Sequence, residues 1–180
     1  MPPLSIRLFG DPVLKLRARE VEELNGSLAG LVETMYETMY DAVGVGLAAP
    51  QVGVGRRLFT YDLGDGDGPR VVVNPVIVES SGESVFDEGC LSVPGLSLEI
   101  VRPQRVVVQG IDLDGKEVVF DDDDYLARVF QHELDHLDGV LMIDRVEGDA
   151  RKQALRQLRE RDLEAEARAA RQSRSGDARL

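Results

Sequence analysis

The sequence predicts an α+β fold. Antiparallel β-sheets pack around a central helix bearing a His-Glu-x-x-His run, with one helix N-terminal to them and another at the C-terminus. Three observations predict it. Residues 27–43 carry an apolar stripe at helical spacing. Residues 56–120 read as short strands joined by turns, and such short links favour antiparallel pairing over helical crossovers. Beyond them lie the His-Glu-x-x-His segment and then residues 149–172, which are rich in Ala, Arg, Glu, Gln and Leu and contain no Gly or Pro.

The elements follow in order. Gly10-Asp11-Pro12 is a turn, because Pro12 pushes Asp11 away from helical angles, and the Arg/Glu-rich piece after it reads as a surface loop. In the first helix Leu28, Leu31, Val32, Met35 and Met39 form the core-facing stripe, and Asn25 or Ser27 caps its start. Gly44 to Gln51 is a run of small residues ending in Pro50 and an amide. It reads as a tight loop packed on the core, or as backbone that another chain or ligand can approach closely. Strands are expected over 57–62, 70–73, 76–79, 97–101 and 105–108, with Asn74-Pro75 breaking the second from the third. Residues 111–113 and 118–120 flank Asp114-Gly115, a hairpin turn. Glu88-Gly89-Cys90 is expected in a loop.

Asp121 to Asp124 precede the second helix as a dipole-favoured start, and Gly139 ends it. The C-terminal helix has a thin apolar pattern of Leu155, Leu158 and Leu163, so it is expected to be exposed or partly docked. The domain reading is a catalytic domain over 1–148, a C-terminal helix over 149–172 and a flexible tail over 173–180.

Composition bounds the function. The chain has 180 residues, is 43% hydrophobic and 30% charged, and has a net charge of −12. That charge argues against binding DNA phosphates. No apolar run reaches the roughly 18 residues a membrane helix requires, so no membrane partner is expected. The N-terminus lacks the pattern of a signal peptide, and a lone cysteine suits a reducing cytoplasm. Residues 149–174 hold 8 Lys/Arg against 5 Asp/Glu, a net of +3, whereas residues 1–148 hold 12 against 27, a net of −15.

The chemistry centres on Gln131-His132-Glu133-Leu134-Asp135-His136, which contains both histidines of the chain. Four residues apart on a helix, His132 and His136 share a face and can grip one metal ion. Glu133 between them is placed to act as a general base. The blander reading is a helix whose histidines are ordinary polar residues. Zincin proteases take a third ligand downstream, but no third histidine exists, and Met142 stands where the metzincin pattern would put one. The remaining soft ligand is Cys90. One Cys and two His leave a tetrahedral position open, the catalytic arrangement rather than the closed structural one.

Three segments together resemble the signature motifs of the peptide deformylase family: Gly44-Val45-Gly46-Leu47-Ala48-Ala49-Pro50-Gln51, Glu88-Gly89-Cys90-Leu91-Ser92 and Gln131 to His136. The resemblance spans roughly residues 4–147 and includes Phe9 to Pro12 and Thr38-Met39-Tyr40. It implies a metal-dependent hydrolase that removes the N-formyl group from the N-terminal methionine of newly made proteins and releases formate.

Carried over residue by residue, the resemblance gives Cys90, His132 and His136 as metal ligands. Glu133 becomes the base and then the acid, and the Gln51 amide and the backbone N–H of Leu91 become oxyanion donors. Val45, Gly46, Phe86, Glu88, Gly89, Leu126 and Val129, with His132, would hold the substrate. Glu88 is expected to pair with Arg102. The implied cofactor is one divalent metal ion, Fe2+, with Zn2+, Ni2+ or Co2+ as substitutes. The implied partners are N-formyl-methionyl nascent peptides. The basic C-terminal helix could additionally dock on the ribosome. Many family members carry an arginine where this chain has Ser97. The rivals are an HExxH peptidase, against which the missing downstream ligand speaks, and a non-catalytic metal-stabilised binding domain, against which Glu133 and Gln51 speak.

Overall fold

Helix α1 spans Gly26–Asp41 in the computed structural model, which describes residues 2–177. Asn25 caps it, its Oδ1 accepting from Leu28 N–H at 3.1 Å. The predicted stripe is core: Leu28, Val32, Met35 and Met39 are buried against Leu47, Leu58 and Val73.

The strands are β1 Gly46–Ala48, β2 Leu58–Tyr61, β3 Arg70–Ser81, β4 Ser84–Gly89, β5 Ser97–Arg102, β6 Arg105–Ile111 and β7 Glu117–Asp122. They form an antiparallel five-stranded sheet in the order β1-β2-β3-β6-β7 and a separate antiparallel pair, β4-β5.

Helix α2, Tyr125–Leu137, lies across the five-stranded sheet. Its Phe130, Leu134 and Leu137 pack with Phe59, Tyr61, Val72, Val106 and Val108. The Phe130 ring meets Tyr61 and Phe120 edge-on, each at 4.9 Å between centroids, the arrangement aromatic quadrupoles prefer. A fold of antiparallel sheets around a central helix is thus what the patterning predicted.

Several boundaries differ, each for a local reason. Asn74-Pro75 does not end a strand. β3 runs through it with a register shift between Val73 and Val76. Asn74 adopts φ 51°, and its side chain accepts from Val21 N–H at 2.8 Å and donates to Val21 O at 2.9 Å, standing in for ladder bonds. Residues 105–111 form one strand where two were expected. Glu88 and Gly89 belong to β4 rather than to a loop, and residues 46–52 form β1 followed by a 3-10 helix, Ala49–Val52, rather than a simple loop. Asp121 and Asp122 lie in β7. Asp122 nevertheless serves α2, its Oδ1 accepting from Ala127 N–H at 3.2 Å.

Gly139 closes α2 at φ 74°, where a Cβ would sit 2.6 Å from the Lys15 carbonyl oxygen. The approaching segment is not merely surface loop. Leu14 and Ala18 are buried, and Ala18 N–H donates to the α2 carbonyl of Leu137 at 2.8 Å.

Helix α3 spans Gly148–Asp177. Ala154 and Leu158 bury against Leu14, Val93, Ile100 and Met142, whereas Leu163 is exposed. Arg161 Nη1 donates to Pro94 O at 2.7 Å. The backbone remains helical through 173–177, part of the expected tail; residues 178–180 of that tail lie outside the described residues. Among the described residues no helix is long and apolar enough to cross a membrane.

Candidate metal centre and groove

Helix α2 supplies two donors from adjacent turns. The His132 and His136 rings stand 5.0 Å apart between centroids. Cys90 follows the end of β4 and brings its Sγ to 3.2 Å from His136 Nε2. One ligand atom from each of Cys90, His132 and His136 falls within 4.8 Å of the others. With metal–sulfur bonds of about 2.3 Å and metal–nitrogen bonds of about 2.0–2.1 Å, such a triangle caps one face of a tetrahedral site. The triad therefore fits a divalent metal ion, and two of its members, Cys90 and His132, line the groove.

The surroundings suit that use. His132 Nδ1–H donates to Glu88 Oε2 at 2.9 Å, which fixes the tautomer and leaves Nε2 for a metal. Glu88 is itself held. Arg102 donates through Nε to Oε1 at 2.7 Å and through Nη2 to Oε2 at 2.9 Å, and Arg128 Nη1 donates to Oε1 at 3.1 Å. Burial would raise the Glu88 carboxyl, but Arg102 and His132 overcome it and hold the group at about 2. The expected Glu88–Arg102 pair is present, and it continues to Asp135, which accepts from Arg102 Nη1 at 2.7 Å and from Arg145 Nε at 2.9 Å.

Glu133 is buried, and its Oε2 has no hydrogen-bond partner among the described residues. Burial pushes its carboxyl up to about 7, against the opposing pull of His132. β1 runs directly over it, and a Cβ on Gly46 would lie 2.5 Å from Glu133 Oε1. A side chain at this position would push the Glu133 carboxyl from where it lies.

Gln51 sits in the 3-10 helix after β1 and is 1% exposed. Its Oε1 accepts from Ala48 N–H at 2.8 Å, so its amide nitrogen is turned toward Ser92 Oγ at 3.2 Å and Cys90 Sγ at 3.9 Å.

A groove of about 640 Å3 opens beside these groups, between β1 and β4. Val45, Gly46, Gln51, Phe86, Glu88, Gly89, Cys90, Leu91, Val129, His132 and Glu133 line it, as does Ser97. Of the residues expected around the substrate, only Leu126 lies elsewhere. It packs against the core cluster of Phe59 and Phe130, because the residue before it on α2 faces the groove instead. That residue, Tyr125, and Arg128 were not anticipated. Arg128 was findable: it stands one turn before His132, hence on the same helix face.

A family model described as polypeptide deformylase matches residues 3–152. The peptide deformylase of Halothermothrix orenii is 49% identical over 146 residues, covering 81% of this chain and 95% of that protein. The peptide deformylase of Thermotoga neapolitana is 50% identical over 142 residues, covering 78% and 85%. Among solved structures, a peptide deformylase from Legionella pneumophila superposes with a TM-score of 0.85 at 43% identity, covering 91% of this chain and 98% of that one. One from Synechococcus elongatus in complex with actinonin gives 0.83 at 41% identity, covering 87% and 88%. The matches span nearly the entire body of the fold and include the Cys/His/His site: this chain belongs to the polypeptide deformylase family.

Proposed function

We propose that the groove carries out the family's hydrolysis through the residues just described, with Glu133 moving the proton and Gln51 and Leu91 facing the developing oxyanion. As a peptide deformylase the chain is an enzyme, a hydrolase that removes the N-formyl group from nascent peptides. The observation that carries the residue assignment is the convergence on one groove of a Cys90–His132–His136 donor set, the buried Glu133 carboxyl with its Oε2 unpartnered among the described residues, and the oriented Gln51 amide.

A divalent ion held by the triad supplies a Lewis acid that polarises the formyl carbonyl and makes water a stronger acid near neutral pH. Glu133 takes the proton from the attacking water, stores it in a buried site where the neutral form is tolerated, and delivers it to the departing amine. Ala48 N–H holds the Gln51 amide so that its N–H faces the reacting carbon's oxygen without rotating first. Val45 and Gly46 on one side and Gly89 to Leu91 on the other bond the extended peptide backbone. Phe86, Val129 and the His132 ring receive the methionine side chain.

Fe2+ is the proposed working metal, with Zn2+, Ni2+ or Co2+ as substitutes that the same donors accept. The proposed location is the cytoplasm, where formyl-methionyl chains emerge. Contact of the net-positive α3 segment with the ribosome is proposed from its charge, opposite to that of the acidic body. The test is formate release from a formyl-Met tripeptide by protein purified without oxygen, assayed with Fe2+, with Zn2+ and after metal stripping. Activity lost on stripping and restored best by Fe2+ is expected. Equal restoration by Zn2+ would overturn the choice of metal, and cleavage of unformylated peptides would favour a peptidase.

A further inference from the structure

We propose that Arg128 is a positioning residue. It pins the β4–β5 wall of the groove to α2 and, through Glu88, fixes the ring of His132. The inference rests on the reading of the groove given above and adds a residue to it.

Among the described residues the β4–β5 pair shares no ladder with the five-stranded sheet, so ladder hydrogen bonds do not fix its distance from α2. Arg128 bridges that gap. From α2 its Nη2 donates to Ser84 O at 3.0 Å and to Ser84 Oγ at 2.7 Å, at the start of β4. Its Nη1 donates to Ile100 O of β5 at 3.3 Å and to Glu88 Oε1, further along β4. One guanidinium thus ties three points of the hairpin to one turn of the helix.

The geometry of Glu88 carries the effect to the metal site. Its Oε1 accepts from Arg102 and Arg128, and its Oε2 accepts from Arg102 and His132. Both oxygens are therefore held in place when His132 Nδ1–H meets Oε2. Arg102 reaches Glu88 from β5 and touches α2 through Asp135, beyond His132; Arg128 reaches Glu88 from the helix turn before His132 and carries the tie to the start of β4. Without Arg128, Ser84 and Ile100 would lose their tie to α2, and the hairpin would be held to the helix at its Arg102 end, through Asp135 and the Gln131–Pro103 bond, and through the His132 ring itself. Arg128 is buried and lines the groove, so its stem also forms part of the surface the substrate meets. A lysine cannot replace it, since a single ammonium lacks the planar fork that spans Glu88 and Ser84 together.

The experiment uses Arg128→Met in the full chain loaded with Co2+, read by the visible absorption of the bound ion and by metal affinity in a chelator competition. Outer partners of a metal-bound histidine typically govern affinity by about 10–100-fold. The expected result is an altered Co2+ spectrum and an affinity about tenfold weaker, with KM for a formyl-Met tripeptide raised more than kcat is lowered. An unchanged spectrum and affinity with only a lower Tm would make Arg128 a plain structural tie and overturn the proposal. Should Arg128→Met fail to fold, Arg128→Lys decides. The same spectral change at smaller size is expected, and a wild-type spectrum and affinity would overturn it. If the wild type releases no formate, the functional reading fails, while the spectrum still tests Arg128.

Discussion

The metal-bearing helix is gripped from two sides by different physics. Toward the five-stranded sheet it buries Phe130, Leu134 and Leu137 against β2, every residue of which is buried. Toward the β4–β5 pair the contact is ionic: Glu88, Arg102, Arg128 and Asp135 are buried, while Val85, Phe86 and Val101 of the same strands remain exposed. Apolar packing is non-directional and sets where the helix lies. Charged, hydrogen-bonded contacts are directional and set how the side chains point. The groove opens between the two, with a fixed floor and a wall hung on side chains.

Removing the packing should have the largest effect on the fold. Phe130→Ala is expected to cost about 3–5 kcal/mol, with a midpoint shift in urea that is insensitive to salt. A loss below about 1 kcal/mol would mean that the sheet is not what seats the helix.

Gln51 stands where floor and wall meet. Gln51→Ala should retain its metal and lose about 10²–10³ in kcat, the range for a single oxyanion donor. Near-normal turnover would remove that role.

On the wall side, Arg102→Met takes a shared guanidinium from two buried carboxylates, leaving Glu88 with Arg128 and His132 and Asp135 with Arg145, for an expected cost of about 3 kcal/mol. Adding Glu88→Gln should return part of that cost. A double variant no more stable than the single would show that the wall does not depend on this charge balance.

The smallest effect is expected far from the groove. Asp144 is half-buried beside Lys15 and Arg151. Burial opposes its ionisation, but the bond from Lys15 and the Leu141 N–H hold its carboxyl below the usual range. A depressed folded value stabilises above the unfolded pKa and is lost as pH falls through the folded one. Asp144→Asn should therefore cost at most about 1 kcal/mol at neutral pH and nothing in strong acid. A cost that persists unchanged at low pH would assign it to packing instead.

The apolar side of this comparison was legible in the sequence. The stripe Leu28 to Met39 and the Val-rich strands follow directly from spacing, and the Asp114-Gly115 hairpin closes where expected, with Asp112 Oδ1 accepting from the Asp114 and Lys116 N–H groups. The histidine spacing and Cys90 pointed to the metal site. The wall was less legible. β4 was invisible because its charged and exposed residues lack the apolar run that marks a strand, and its partners are arginines from distant segments. Glu88–Arg102 came only through resemblance, and Arg128 and Asp135 were missed because an arginine on a helix ordinarily reads as surface. The bulge at Asn74 was missed because a side chain bonding Val21, 53 positions away, leaves no local signal. Leu126 was misplaced by one residue, enough on a helix to turn it from groove to core.

The central claim is that Glu133 moves the proton in this groove. It is tested by comparing formate release from a formyl-Met tripeptide by the wild type and by Glu133→Gln, each carrying the same amount of bound metal. A loss of about 10²–10⁴ in kcat is expected, with the ion retained. Equal turnover by the two proteins would contradict the claim.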